Sequence, residues 1–384
     1  MKSTKVIILG ATGSIGRQTI ECIEAANHKF PGRFEVVGLS ANRNQAGLRI
    51  AAARFSGAKL ALDDNIVGNC SEDIAYSGAG ASSALLENMD ADLVVNGIAG
   101  AAGLVASLAA LSSKKNLALA NKESVVMGYS HLKALAQKNS LYIIPVDSEH
   151  AALFQLVSRL GSASITELSI TASGGPFRTR DAEELKAICP DEAAHHPVWK
   201  MGRKISIDSA TLANKGLELI EAVRLFGLPE DKVKVLIHPE SIVHALVRTK
   251  DGALYAHISS PDMRLPIDIA LHWPEEVESA YGTLDLAGTT LHFEAPDTIR
   301  FPMLALARLA VRVGEAATIA YNAANEIAVE CFEEGKISFT QIGDIVDKVL
   351  EKDWAFPVPD TGSIFDIDAK ARSYAQRAVA ECQC

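Results

Sequence analysis

Residues 5–9 form a short β-branched and leucine run that breaks at a glycine-rich stretch, after which Ile15, Ile20, Ile23 and Ala26 recur with helical spacing. This reads as strand, turn and helix. Comparable apolar runs lie at 34–39, 60–62, 93–95, 117–120 and 141–146, mostly separated by helix-like stretches. Such alternation implies an α/β domain with a parallel sheet covered on both faces, the doubly wound arrangement. After Pro145 the rhythm changes. Strand candidates at 165–172, 233–237, 242–247 and 253–258 and a helix after Lys215 suggest a central α+β region. Amphipathic helices at 304–313, 317–332, 339–350 and 366–380 suggest a C-terminal helical bundle. The domains expected on this pattern are 1–147, 148–300 and 301–384.

Composition narrows the function classes. Lys and Arg total 37 against 47 Asp and Glu, a net charge of -10, and no basic patch stands out, so nucleic acid is not an expected partner. The uncharged stretch 93–111 approaches the ~20 residues that cross a bilayer. Gly97, Gly100, Gly103 and Asn96 interrupt it, however, and it reads as buried strand, turn and alanine-rich helix. The opening Lys2 and Lys5 with the apolar run at 6–9 do not make a signal peptide, because glycines break the run and Arg17 follows. No membrane partner is expected. Cys22, Cys70, Cys189, Cys331, Cys382 and Cys384 never form C-x-x-C, which fits reduced, packing thiols and a cytoplasmic setting. The terminal Cys382-Gln383-Cys384 is read as a chain end rather than a soft-metal site.

The string Gly10-Ala11-Thr12-Gly13-Ser14-Ile15-Gly16 places glycines where a strand must turn sharply, admit a pyrophosphate and pack a helix closely. The helix start then offers free N–H groups to phosphates. Alone, such a string is an ordinary turn as often as a nucleotide site. Here it opens a complete alternating unit, so residues 1–147 are expected to be a Rossmann-type dinucleotide domain. At the end of the second strand, Asn42-Arg43-Asn44 lacks the acid that holds a ribose 2'-hydroxyl and offers Arg43 to a 2'-phosphate. NADPH is favoured over NADH.

Asp147-Ser148-Glu149-His150 follows the sixth apolar run, where such sheets bind ligands. Read as extended chain, it projects two carboxylates to one side, and their hard oxygens suit Mg2+ or Mn2+ better than Zn2+. A solvated loop is the competing reading. Ser173-Gly174-Gly175-Pro176 can face backbone and hydroxyl donors to an anion, or simply turn. Between Asp208 and Glu218 lie Ser209, Thr211, Asn214 and Lys215. Asn214 is expected to cap a helix there and, with Lys215, to grip a phosphate.

Together these strings closely resemble the 1-deoxy-D-xylulose 5-phosphate reductoisomerase family over nearly the whole chain. The resemblance is carried by the glycine turn at Gly10, Ala-Asn-Lys-Glu-Ser at Ala120, Asp-Ser-Glu-His at Asp147 and Ala-Ser-Gly-Gly-Pro-Phe at Ala172. It continues through His196 to Lys204, Asp208 to Glu218, and His238-Pro239-Glu240-Ser241. It implies an NADP-dependent oxidoreductase of non-mevalonate isoprenoid precursor synthesis, a cytoplasmic homodimer. The implied reaction isomerises the ketose phosphate, by retroaldol and aldol steps, and reduces the resulting aldehyde to 2-C-methyl-D-erythritol 4-phosphate. By resemblance Asp147, Glu149 and Glu218 ligate one Mg2+ or Mn2+ per site. Ser173, Ser209, Asn214 and Lys215 match the phosphate site, Ser148 and Glu149 the hydroxyl contacts, and Lys122 a substrate-side lysine. Thr12, Gly13, Ser14, Ile15, Asn42, Arg43, Asn44, Asn121, Glu123 and Gly202 match NADPH contacts. Residues 196–201 match a mobile flap, with His196 binding substrate and Trp199 lying across its carbon chain. At Asn42 relatives often carry glycine, and Asn tolerates the left-handed turn expected there. The resemblance places no ligand at His238, Glu240 and His244, which are read as structural.

Two other readings share the first domain. An NADP-dependent dehydrogenase acting on a semialdehyde would need no metal. A non-catalytic NADPH sensor would leave the acids and the phosphate cluster without a role.

Overall fold

The computed structural model describes residues 3–64, 73–199 and 201–382, so Cys70, Cys384 and Lys200 of the expected flap lie outside the described residues. The chain forms two compact units. The first comprises 1–124, 130–151 and 262–282, and the second comprises 125–129, 152–261 and 283–384.

The first unit is the doubly wound domain. Its elements run β1 (Thr4–Leu9), α1 (Ser14–Lys29), β2 (Phe34–Ala41), α2 (Gln45–Ala52), β3 (Lys59–Leu62), β4 (Ile74–Ser77), α3 (Ala81–Asn88), β5 (Leu93–Asn96), α4 (Ala102–Ser112), β6 (Asn116–Leu119), α5 (Lys122–Asn139), β7 (Ile143–Pro145) and the start of α6 (Ser148–Leu160). The strands form a parallel sheet in the order β4-β3-β2-β1-β5-β6-β7. Val6, Ile7, Ile8 and Leu9 are fully buried, as expected of a central strand covered on both faces. The sheet grows one way from β1 through β2 and the other way through β5. The turn after β1 therefore sits at the reversal of strand order, where such sheets open a ligand crevice. α1 shows why the opening pattern is helical: Ile20, Cys22, Ile23 and Ala26 share its buried side, and His28 and Lys29 close its last turn. The stretch 93–111 resolves into β5 and α4, and among the described residues no helix is long and apolar enough to cross a membrane.

The second unit continues with β8 (Ile165–Ala172), α7 (Ala182–Leu185), α8 (Pro190–Ala193), α9 (Arg203–Ala210), α10 (Ala213–Phe226), β9 (Val233–Ile237), β10 (Val243–Thr249) and β11 (Leu254–Ile258). Its four-stranded sheet has the order β11-β10-β8-β9, parallel only between β8 and β9. α11 (Arg264–His272) belongs to the first unit. α12 (Met303–Val313), α13 (Glu315–Glu333), α14 (Gln341–Leu350) and α15 (Thr361–Cys382) complete the second with the expected helical bundle.

Three local expectations change. β4 went unanticipated, because this edge strand buries only Ile74 fully and has no apolar run. Asp147-Ser148-Glu149 is not extended: the carbonyl of Asp147 accepts the Ala151 N–H at 2.8 Å, and Ser148 and Glu149 form the first turn of α6. Asn214 is not a cap. α10 already begins at Ala213, after Leu212 in left-handed conformation (φ 62°), and the Thr211 hydroxyl accepts the Ala213 N–H at 3.3 Å. Of the described cysteines Cys22 is buried, whereas Cys189 is exposed at the N-cap of α8; all are free thiols.

Candidate active site

In the first unit the glycine turn is shaped by backbone proximity. Gly10 is left-handed (φ 72°), and a Cβ there would lie 2.9 Å from the Gly97 carbonyl oxygen. At Gly16 a Cβ would lie 2.4 Å from the Gly10 oxygen, so only glycine lets α1 start so close to β1. Gly13 donates its N–H to the Gly10 oxygen at 2.9 Å and occupies the N-cap with no side chain capping the helix. The first-turn amides, with exposed Gly13 and Ser14 and half-buried Thr12 and Ile15, thus remain for a pyrophosphate. The turn fits a dinucleotide. Arg43, largely exposed, pairs with Asp64 at 2.9 Å. The Asn44 side chain caps α2 by accepting the Gly47 N–H at 2.9 Å. Asn42 is not among the left-handed residues, so asparagine stands there without strain.

At the carboxyl ends of β5 and β6 lies a buried polar network. Asn121 caps α5 by accepting the Ser124 N–H at 2.9 Å, and donates to Glu123 at 2.7 Å and to the Gly100 carbonyl at 2.9 Å. Ser124 reaches Ser107 at 3.0 Å, and Ser107 accepts from Asn96 at 2.8 Å. A Cβ on Gly103 would lie 2.4 Å from the Asn121 side chain. Asn96, Gly103, Ser107 and Ser124 were not singled out for this role from sequence. The one signal was a polar Asn96 closing an apolar run.

Beside this network Lys122 contacts Asp147 at 2.6 Å, and both side chains are nearly buried. His150, fully buried, brings Nδ1 to Asp147 at 3.1 Å. Burial opposes ionisation of Asp147, but the Lys122 ammonium and His150 outweigh it and hold the carboxyl well below its usual range. The Ser148 hydroxyl donates to Glu149 at 2.5 Å. Asp147 and Glu149 thus present hard oxygens, and the ionised state of Asp147 is the one a divalent cation requires.

The second unit carries a cluster of hydrogen-bond donors around Ser173. Gly174 and Gly175 after β8 are both left-handed, and a Cβ on Gly175 would lie 2.9 Å from the Ser209 carbonyl oxygen, so the two loops are pressed together. Nδ1 of His196 accepts N–H groups from Val198 at 3.1 Å and Trp199 at 2.8 Å, which leaves its proton on Nε2. Nε2 then donates to the Ser173 hydroxyl at 2.9 Å, and the Gly175 N–H approaches the same oxygen at 3.2 Å. With two donors on its oxygen, Ser173 keeps its own hydrogen to donate. Burial, and then the Lys215 charge, lower the His196 pKa to about 4, which secures the neutral ring. On α10, Lys215 and Glu218 are buried and directly paired, and Asn214 donates to Glu218 at 2.5 Å. Gly216 lets this face approach α13, since a Cβ there would lie 2.5 Å from the Tyr321 hydroxyl. Ser173, His196, Ser209, Asn214, Lys215 and Glu218 are all placed by this unit. Trp199 is half-buried, its ring centroid 6.3 Å from that of His244, and Gly202 is the exposed N-cap of α9. His238 has a structural setting: Nδ1 lies 2.8 Å from the His292 carbonyl, and the ring stacks on Phe293 at 4.7 Å.

A doubly wound sheet that opens on a glycine turn fitted to a dinucleotide places the chain, with its relatives, among the NADP-dependent oxidoreductases. Family profiles agree: 1-deoxy-D-xylulose 5-phosphate reductoisomerase matches residues 6–128, its C-terminal domain matches 143–226, and the DXP reductoisomerase C-terminal domain matches 258–374. A relative of that name from Treponema pallidum is 44% identical over 383 residues, covering 99% of each chain. Another, from Moorella thermoacetica, is 46% identical and covers 98% of each. Among solved structures, the reductoisomerase from Zymomonas mobilis in complex with NADPH has a TM-score of 0.89 at 39% identity, covering 98% of this chain and 99% of that one. A DOX-P reductoisomerase in complex with NADPH, fosmidomycin and magnesium gives 0.88 at 38%, covering 98% of each. The chain belongs to the 1-deoxy-D-xylulose 5-phosphate reductoisomerase family.

Proposed function

We propose that this chain carries out its family's reaction, the NADPH- and divalent-metal-dependent isomerisation and reduction of 1-deoxy-D-xylulose 5-phosphate to 2-C-methyl-D-erythritol 4-phosphate, with the residues named from the sequence. When bound, the metal supplies Lewis-acid polarisation of adjacent substrate oxygens and NADPH supplies the hydride. Asp147, Glu149 and Glu218 are the proposed ligands, their carboxylate oxygens suiting Mg2+ or Mn2+. Ser173 donates its remaining hydrogen to the substrate phosphate, Ser209 and Asn214 add donors, and buried Lys215 adds charge. His196 orients Ser173. Lys122 holds Asp147 ionised, and Ser148 and Glu149 are positioned for the substrate hydroxyls. Trp199 covers the carbon chain. Thr12, Gly13, Ser14 and Ile15 receive the pyrophosphate, Arg43 with Asn42 and Asn44 the 2'-phosphate, and Asn121, Glu123 and Gly202 the rest of the cofactor. Residues 1–147, 148–300 and 301–384 serve as cofactor, catalytic and supporting helical regions. We further assign a cytoplasmic location and a homodimer, the latter testable by sedimentation.

The observation that carries this reading is the cradle around Ser173, whose oxygen takes two donors, one of them a histidine that feels the charge of buried Lys215. NMR of the product formed from the ketose phosphate tests it. A methyl-branched tetritol phosphate is expected; an unrearranged reduced sugar phosphate would contradict it.

A further inference from the structure

The turn from Ser209 to Lys215 rests on a buried acid with no role so far. Asp208, on α9, is 1% exposed. Its carboxylate accepts from Lys204, one turn earlier, at 2.6 Å and from the Asn325 side chain of α13 at 2.9 Å. Its carbonyl accepts the Thr211 hydroxyl at 3.2 Å, and the same hydroxyl accepts the Ala213 N–H at 3.3 Å across left-handed Leu212. A chain of hydrogen bonds thus leads from Asp208 into the first residue of α10, which carries Asn214 and Lys215. The next residue after Asp208 is Ser209, whose carbonyl is packed against Gly175 of the facing loop.

Electrostatics alone argues against an acid here. Burying a carboxylate costs free energy unless donors surround it, and next to an anion site it repels the ligand as well. Its two donors offset the first cost and do not remove the second. A compensating geometric role is the simplest account.

We propose that Asp208 is a positioning residue for phosphate binding: its carboxylate, clamped between Lys204 and Asn325, fixes the turn that presents Ser209, Asn214 and Lys215 to the phosphate. This rests on the reading of those three residues as the phosphate site. The isosteric variant Asp208→Asn separates the two effects by sign. If only charge mattered, removing the negative group would tighten anion binding. Positioning requires the reverse.

The assay is steady-state turnover of the full chain with inorganic phosphate as competing ligand. For D208N, the inhibition constant for phosphate and the substrate KM are both expected to rise about tenfold, with kcat changed less than threefold, as loss of roughly 1.4 kcal/mol of binding implies. NADPH affinity should be unchanged. The double variant Asp208→Asn/Asn325→Asp, which restores an amide–carboxylate pair with the roles exchanged, should recover most of the loss. Should D208N not fold, Asn325→Ala, which retains the acid but removes one clamp, is expected to raise both constants about threefold. Unchanged or tighter phosphate binding in the folded variant overturns the proposal, as does a double variant no better than D208N. Wild-type protein that phosphate does not inhibit would instead overturn the phosphate-site reading, and this inference with it.

Discussion

Replacing Gly16 by alanine tests whether the start of α1 is as closely fitted as its geometry indicates. The added Cβ would stand 2.4 Å from the Gly10 oxygen, 2.5 Å from the Ala11 Cα and 2.7 Å from its carbonyl carbon. All three are backbone atoms, so no side chain can swing away. Reaching an ordinary contact of about 3.4 Å requires the helix start to retreat by about 1 Å, and overpacking of this kind costs roughly 1–3 kcal/mol. For a unit of this size that lowers the melting temperature by about 2–12 °C. A displacement of about 1 Å at a binding element also weakens function by up to about a hundredfold. Gly13→Ala is the internal control, because its Cβ would meet only the Gly10 oxygen, at 3.2 Å. Thermal melts and NADPH titrations of both variants read the outcome. G16A should lose stability and cofactor affinity together, whereas G13A should keep its melting temperature within about 2 °C, the scale of a surface change. G16A with wild-type stability and NADPH affinity would refute the reasoning.

Arg43→Ala should raise the KM for NADPH roughly tenfold to a hundredfold, the range for a lost charge-assisted bond, and leave NADH kinetics nearly unchanged; steady-state assays with each cofactor decide it. Lys122→Met should destabilise the metal-free protein by about 3 kcal/mol, since Asp147 would stay buried without its ammonium partner. Melts in the presence of a chelator measure this, and an unchanged midpoint would count against the pair. His196 and His257 are each lowered to about 4, chiefly by burial, from the ordinary 6.5. The unfolded chain therefore binds more protons than the folded one between these values. The contribution of these two histidines should be complete above pH 6.5, fall as pH drops from 6.5 towards 4, and be exhausted below, where protonation of the depressed Asp147 carboxyl continues the loss; denaturant titrations across that range, with His196→Gln showing a shallower fall between 6.5 and 4, provide the check.

The first sheet was legible because central parallel strands are covered on both faces and read as apolar runs, as β1 and β5 do. β4 escaped because an edge strand needs no such run. The glycine turn was legible for a related reason: Gly10 and Gly16 are dictated by backbone proximity, which leaves a mark in sequence. Asp147 to Glu149 was placed at the right strand end but in the wrong conformation: Asp147 just before α6 and Glu149 in its first turn are helix-start signals that the extended reading passed over. Asn214 was misread in its turn, because Thr211 and left-handed Leu212 take over the capping role. Networks assembled across distant segments were least legible. Nothing in the spacing of Asn96, Ser107 and Asn121, or of Asp208 and Asn325, indicates that they meet.

The most direct test of the central claim is NADPH oxidation by the pure protein with 1-deoxy-D-xylulose 5-phosphate and Mn2+, followed at the nicotinamide absorbance band with and without a chelator. Oxidation should depend on the sugar phosphate, stop when the ion is chelated and resume when Mn2+ is restored. No oxidation with every component present, or full activity after chelation, would contradict the account.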